Sequence, residues 1–138
     1  KIIEILNGLV KALSKVQDDE SGLWYLVLEQ GKRTGNYLEA SAAGMFIYAI
    51  AKGIRKGYLS ESFREMVYKA YGGLIKGLIE VGPDGTVNIK GTCLTAGLGD
   101  RPNRDGSFEY YISEPIVVND LKGIAAFILA SVEDLNGR

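Results

Sequence analysis

Apolar side chains recur at helical spacing in four stretches of this chain. Around residues 2–17, Ile2, Ile5, Leu6, Leu9, Leu13 and Val16 fall on one stripe, and Glu4, Asn7, Lys11 and Lys15 lie opposite. That spacing predicts an amphipathic helix with one wet side. Around residues 38–56 the run Ala-Ser-Ala-Ala-Gly-Met-Phe-Ile-Tyr-Ala-Ile-Ala is apolar nearly all the way round, which predicts a helix buried on most sides. A third helix is predicted over about 61–80. Phe63, Met66, Val67, Ala70, Leu74, Ile75 and Leu78 form its apolar stripe, with Glu61, Arg64, Glu65 and Lys69 opposite. The fourth, over about 119–135, again predicts all-round burial through Ile124, Ala125, Ala126, Phe127, Ile128, Leu129, Ala130 and Val132.

The order is amphipathic, buried, amphipathic, buried. Aligning Phe46 with Phe127 places Ala49 on Ala130 and Glu39 on Asp120. Upstream, Asp19-Glu-Ser-Gly-Leu-Trp-Tyr and Pro83-Asp-Gly-Thr-Val-Asn each read as a turn followed by a short extended run. The pattern therefore predicts an all-α fold built from two copies of an outer helix, a short strand-like connection and an inner helix. Inner helices rich in Ala and Gly can approach closely, and loops entering them can build a central pocket. Two such units make only an arc of a double-layered helical barrel. Its apolar inner faces then need further hairpins or another copy of the chain to cover them.

Composition narrows the partners. The chain has 138 residues, the size of one domain or of a piece of a larger one, and a net charge of −1. Its positive charges are dispersed; Lys52, Arg55 and Lys56 sit at a helix end, where cations are favoured. Neither nucleic acid nor an anionic membrane is an expected partner, since both need a basic patch. Cys93 is the single cysteine, so no internal disulfide can form, and a reducing, cytoplasmic setting is expected. No stretch has the length and apolarity of a membrane span, and no signal peptide is visible. The chain starts at Lys1 directly in a helix, which reads as a cut segment.

Candidate chemistry gathers at the mouths of the two buried helices. Arg104-Asp-Gly-Ser-Phe-Glu-Tyr-Tyr-Ile-Ser-Glu-Pro leads into Asn119 and Asp120, either of which can cap a helix. An Arg, two Tyr and several acids there suit a polar ligand. Arg104 can pair with a carboxylate of a ligand, or with Glu109 or Glu114. Tyr110 and Tyr111 are further ligand candidates. Gly35-Asn-Tyr-Leu-Glu repeats the arrangement at the second helix. Tyr37 enters the site there, and Glu39 either binds a hydroxyl or sits in the first turn for the helix dipole. Trp24 offers a platform for a sugar face or packs as an ordinary core aromatic. Cys93 reads as a small core filler. Without histidine, and with one cysteine, no metal site is expected. No cofactor motif is present; Gly97-Leu-Gly is too short for a phosphate cradle. Asp18-Asp19-Glu20 reads as a solvated turn rather than a calcium loop.

Five segments carry a family resemblance. Ser21-Gly-Leu-Trp-Tyr-Leu-Val-Leu, Asn36-Tyr-Leu-Glu-Ala-Ser-Ala-Ala-Gly-Met-Phe, Lys52-Gly-Ile-Arg-Lys-Gly-Tyr-Leu, Gly91-Thr-Cys and Asp105-Gly-Ser-Phe-Glu-Tyr-Tyr appear in that order. Together they resemble glycoside hydrolase family 105, the unsaturated rhamnogalacturonyl hydrolases, which are related to the family 88 unsaturated glucuronyl hydrolases. The resemblance covers almost the whole chain. Family members have a six-hairpin (α/α) barrel more than twice this length, and this chain resembles the C-terminal two hairpins.

The resemblance implies a substrate and a reaction. The family acts on pectin-derived oligosaccharides that carry a 4,5-unsaturated galacturonic acid. An Asp protonates the ring double bond, water adds, and the hemiketal collapses to release the sugar. This differs from attack at a glycosidic oxygen by paired carboxylates. In the family that Asp and a Trp/Arg/Gly/Trp cluster gripping the sugar lie in earlier hairpins, which have no counterpart here. No catalytic residue is therefore carried over, and the chain alone is expected to be inactive. Asp105 and Asp120 are expected to hold a turn and a helix cap. The competing expectation is a non-catalytic, self-associating helical module with weak sugar binding.

Overall fold

Helix α2 (Ala40–Arg55) is the hub of the fold. The structure, a computed structural model, describes residues 1–99 and 104–136, with side chains described to residue 133. Around α2 lie α1 (Ile2–Lys15), α3 (Arg64–Leu78) and α5 (Leu121–Asn136). Ile47, Ile50 and Ile54 of α2 pack with Val10 and Leu13 of α1 and with Met66, Val67, Ala70 and Leu74 of α3. Each isoleucine is at most 4% exposed. Burial of such a side chain is worth about 1.5–3 kcal/mol, so the hub dominates stability.

The connections deserve their own account because they position the site. β1 (Ile79–Val81) and β2 (Val87–Ile89) form an antiparallel hairpin. Its turn is held by Asp84, whose Oδ1 accepts from Thr86 N at 3.1 Å and Thr86 Oγ1 at 2.6 Å. A second pair joins β3 (Thr92–Cys93) to β4 (Ile116–Val117), also antiparallel. Between them lies a short helix, α4 (Phe108–Ser113).

Several boundaries differ from the sequence reading. The second predicted helix starts at Ala40 rather than at 38, because Leu38 is bridged to Tyr25 and Glu39 is the cap. The third opens with a single 3-10 turn at Glu61–Phe63 and ends at Leu78, where Ile79 enters β1. Helix α4 stands where a loop was expected. Its signal was Ser107, whose Oγ accepts from Tyr110 N at 3.1 Å.

Helices α2 and α5 lie side by side in parallel. They approach closely at Gly44, where a β-carbon would meet the Ala126 backbone at 2.9 Å. Their C-terminal ends are joined by Arg55, which donates from Nε and, at 3.2 Å, from a terminal nitrogen to the buried Glu133 carboxylate. This bridge was not foreseen: Arg55 was read only as a cation at a helix end.

Burial also departs from the expected alternation. α2 buries eight of its residues, among them Ala40, Ala43, Gly44 and Ile47. α5 does not match it. Its Leu121, Ile128, Leu129 and Val132 are exposed, so the expected all-round burial holds for α2 far better than for α5. The α1 stripe also splits: Leu13 faces the core, while Ile2, Ile5 and Leu9 face outward, and Val10, outside the expected stripe, is buried.

Candidate functional site

Residues 91–94 form a strap across the N-terminal ends of both inner helices. At one end Gly91 O accepts from Ala40 N at 2.9 Å. In the middle Cys93 N donates to Glu39 Oε1 at 3.0 Å. Thr92 packs on the first turn of α5, where a β-carbon on Gly123 would lie 2.5 Å from Thr92 Oγ1. At the far end Lys122 Nζ donates to Leu94 O at 2.9 Å, and Leu94 N donates to Pro115 O at 2.9 Å.

Glu39 is the N-cap of α2 and is 3% exposed. Its carboxylate accepts from Ala42 N at 2.6 Å, from Ser41 Oγ at 2.9 Å and from Cys93 N. Asp120 plays the local counterpart at α5, accepting from Lys122 N at 2.9 Å and Lys122 Nζ at 2.7 Å. Asn119 beside it adopts a left-handed backbone, φ 57°. Its side chain accepts from Ile89 N at 2.9 Å and donates to Asn88 Oδ1 at 2.7 Å, tying β2 to the start of α5.

Two hydroxyls behind the strap, Tyr37 Oη and Thr92 Oγ1, are buried without a well-formed hydrogen bond. The Tyr37 hydroxyl neighbours the Cys93 thiol. Burial first, then that contact, pushes its pKa well above the ordinary tyrosine value. Burial likewise raises the Cys93 thiol, so this pair stays protonated and neutral. The Glu114 carboxylate bears on Tyr37, Cys93 and Tyr110 alike. Tyr110 Oη in turn accepts from Gly97 N at 3.1 Å, and its acidity is reduced by burial and by a hydrogen bond with Glu114. Arg104 lies near enough to Tyr110 to act in the opposite sense.

Asp105, Asp120 and Glu39 are not arranged to deliver a proton. Such a group needs a raised pKa and a free oxygen. Hydrogen bonds from Ser107 lower Asp105, and hydrogen bonds from Lys122 lower Asp120. Both oxygens of Glu39 are already engaged.

The comparisons with known proteins fit this geometry. A family model described as Glycosyl Hydrolase Family 88 matches residues 1–136. The chain belongs to glycosyl hydrolase family 88. Among solved structures, it is 54% identical to a family 105 glycoside hydrolase of C. acetobutylicum ATCC 824, with a TM-score of 0.94 over 97% of this chain and 37% of that one. A possible family 105 member from Salmonella enterica gives 32% identity and a TM-score of 0.79, over 97% of this chain and 31% of that one. Protein Atu3128 of Agrobacterium fabrum is 34% identical over 137 residues, 95% of this chain and 57% of that protein. The 24.9 kDa protein in the picA locus of Rhizobium radiobacter matches to the same extent. The family 88 chain thus spans a little over half the length of these curated relatives.

In this family 88 chain the candidate residues separate. Tyr37 and Tyr110 both feel the charge of Glu114, and Arg104 lies near Tyr110. Tyr111 packs at a tilt against Tyr110, with ring centroids 5.2 Å apart, and lines an open groove of about 410 Å³ with residues 26–30. Trp24 is corrected: it is 1% exposed, donates from Nε1 to Leu13 O at 2.9 Å and meets Phe46 edge-on, so it offers no ring face to a sugar. Glu109 pairs with Arg33, whose guanidinium stacks on Phe108 at 3.8 Å. Asp105 and Asp120 hold a turn and a cap, Asp105 by accepting from Ser107 N at 2.8 Å. Sequence reasoning named Glu114 only as a possible partner of Arg104, and missed Lys122 and Thr92 as parts of the cluster. Lys122 alone had a local signal, its place in the first turn after Asp120.

Proposed function

We propose that this family 88 chain supplies the C-terminal two hairpins of an (α/α) barrel that hydrates the 4,5-unsaturated uronic acid of pectin-derived oligosaccharides. The match to the C. acetobutylicum family 105 hydrolase carries this reading, because it extends over 97% of the chain at a TM-score of 0.94. In this reading Arg104 pairs with the uronate carboxylate, and Tyr110 and Tyr111 line the side that takes the released sugar. The Tyr37 hydroxyl is too deeply placed to touch substrate, so Tyr37 backs the wall. The acid that protonates the ring double bond comes from the hairpins that complete the barrel. Those hairpins also cover the exposed apolar positions of α1 and α5.

A domain swap tests this. The chain replaces the matching segment of the C. acetobutylicum hydrolase, and loss of the ultraviolet absorbance of the unsaturated uronate is followed on an unsaturated galacturonyl-rhamnose disaccharide. The chimera is expected to turn the sugar over, and the 138-residue chain alone is not. A chimera that folds but lacks the parent's activity overturns the proposal, as does turnover by the isolated chain. The exposed apolar stripes of α1 and α5 favour a second reading, a self-associating module without activity. Light scattering that shows a stable dimer, together with a dead chimera, would support it.

A further inference from the structure

We infer that Glu39 is a positioning residue: it straps residues 91–94 across the N-terminal ends of α2 and α5, and so sets the mouth beside Arg104 and Tyr110. The strap follows from geometry on this chain alone; its effect on a substrate rests on the function proposed above.

A helix cap needs to satisfy only one of the orphan N–H groups of the first turn, and Ser, Thr, Asp and Asn do this best. Glu39 is longer than any of them. One oxygen caps α2 through Ala42 N at 2.6 Å, as a shorter acid can. The other reaches Cys93 N at 3.0 Å, 54 residues along the chain. Ser41 Oγ lies 2.9 Å from both oxygens and fixes the rotamer. The group is buried, so removing the carboxylate leaves the Cys93 amide without its charged acceptor, at the full cost of a buried unpaired donor. Beyond Cys93 the strap continues to Leu94, held by Lys122, and to Gly97, whose N–H meets the Tyr110 hydroxyl. A shift of β3 therefore moves the loop that presents Tyr110.

The single cysteine makes this directly measurable. Cys93, in the middle of the strap, is 7% exposed, so its reaction with a small thiol reagent in native buffer reports local opening. Losing a charge-assisted buried hydrogen bond is expected to speed labelling roughly 10–100-fold in Glu39→Gln. Glu39→Asp keeps the charge and the α2 cap but cannot span to Cys93 N; it is expected to speed labelling to a similar degree while lowering the thermal midpoint less than Glu39→Gln does. Ser41→Ala, which leaves both backbone donors paired, should change the rate less than about threefold. Unchanged labelling in a folded Glu39→Asp chain overturns the strap. So does labelling whose denaturant dependence equals that of global unfolding. In the chimera, Glu39→Asp is expected to raise KM about tenfold with kcat held within about twofold, the pattern of lost substrate positioning. If labelling accelerates and KM does not move, the strap is real but positions nothing, and the inference fails. An inactive parent chimera would remove the proposed function while the labelling result still decides the strap.

Discussion

Helices α2 and α5 are the same element twice, in different company. Each has sixteen residues, an acid just before its first turn and a phenylalanine at its seventh position, Phe46 and Phe127. Yet α2 is enclosed by α1, α3 and α5, whereas α5 rests on α2 and β3 and turns Ile128, Leu129 and Val132 outward. Their acids differ in the same way. Asp120 binds within its own helix start; Glu39 reaches a strand from the other half of the chain. An apolar sequence licenses burial, and neighbours deliver it.

The sharpest test of that contrast is truncation at matched isoleucines. Ile47→Ala should cost about 2–5 kcal/mol in urea unfolding, because Ile47 is fully enclosed. Ile128→Ala, at a side chain 54% exposed, should stay within about 0.5 kcal/mol in the isolated chain. A large loss at Ile128 would mean that its face is covered, by a second copy or by the rest of a barrel.

A smaller effect probes how closely the pair meets. Gly44→Ala drives a methyl group to 2.9 Å from the Ala126 backbone and should cost about 1–3 kcal/mol. Gly72→Ala in α3, with nothing within 4 Å of the new carbon, should instead stabilise by about 0.5–1 kcal/mol. Equal effects would show that helix propensity, not the α2–α5 contact, governs Gly44.

The far ends of the pair give a pH dependence. The hydrogen bond from Arg55 holds Glu133 below its ordinary value of 4.5. A depressed carboxyl contributes stability that is fully present above that ordinary value and is lost as the pH falls through the lower folded value. The gap in thermal midpoint between the parent and Glu133→Gln should therefore be widest near neutrality and close under acid. A gap independent of pH would assign the effect to packing. The smallest change is expected at Thr92→Val. Its hydroxyl is buried and unpaired, so the substitution should be neutral or stabilise by up to about 1 kcal/mol. A clear loss would mean that the hydroxyl has a partner, such as a bound water.

The period of the apolar residues was enough to locate all four long helices to within two or three residues. It also placed Glu39 and Asp120 in equivalent positions, and the family resemblance agreed with the comparisons. The candidate cluster was legible in part: Tyr37 and Tyr110 both feel Glu114, and Arg104 lies near Tyr110, beside the two helix starts that the pattern had already paired. Trp24 was misread as a possible platform because nothing local distinguishes a stacking indole from one whose N–H reaches Leu13 O. The ion pair of Glu109 with Arg33 had no local signal for the same reason: the two lie 76 residues apart.

What the sequence by itself determined is the set of elements and the small-residue runs that let two of them touch. Those depend on backbone periodicity and side-chain size, which act within a few residues. Only the tertiary structure decided which faces are covered and what each buried polar group binds. Burial depends on whatever lies across the gap, and a hydrogen bond is satisfied by any donor within reach, however far along the chain. The Glu39 carboxylate and the Cys93 amide, 54 residues apart, are joined for that reason alone.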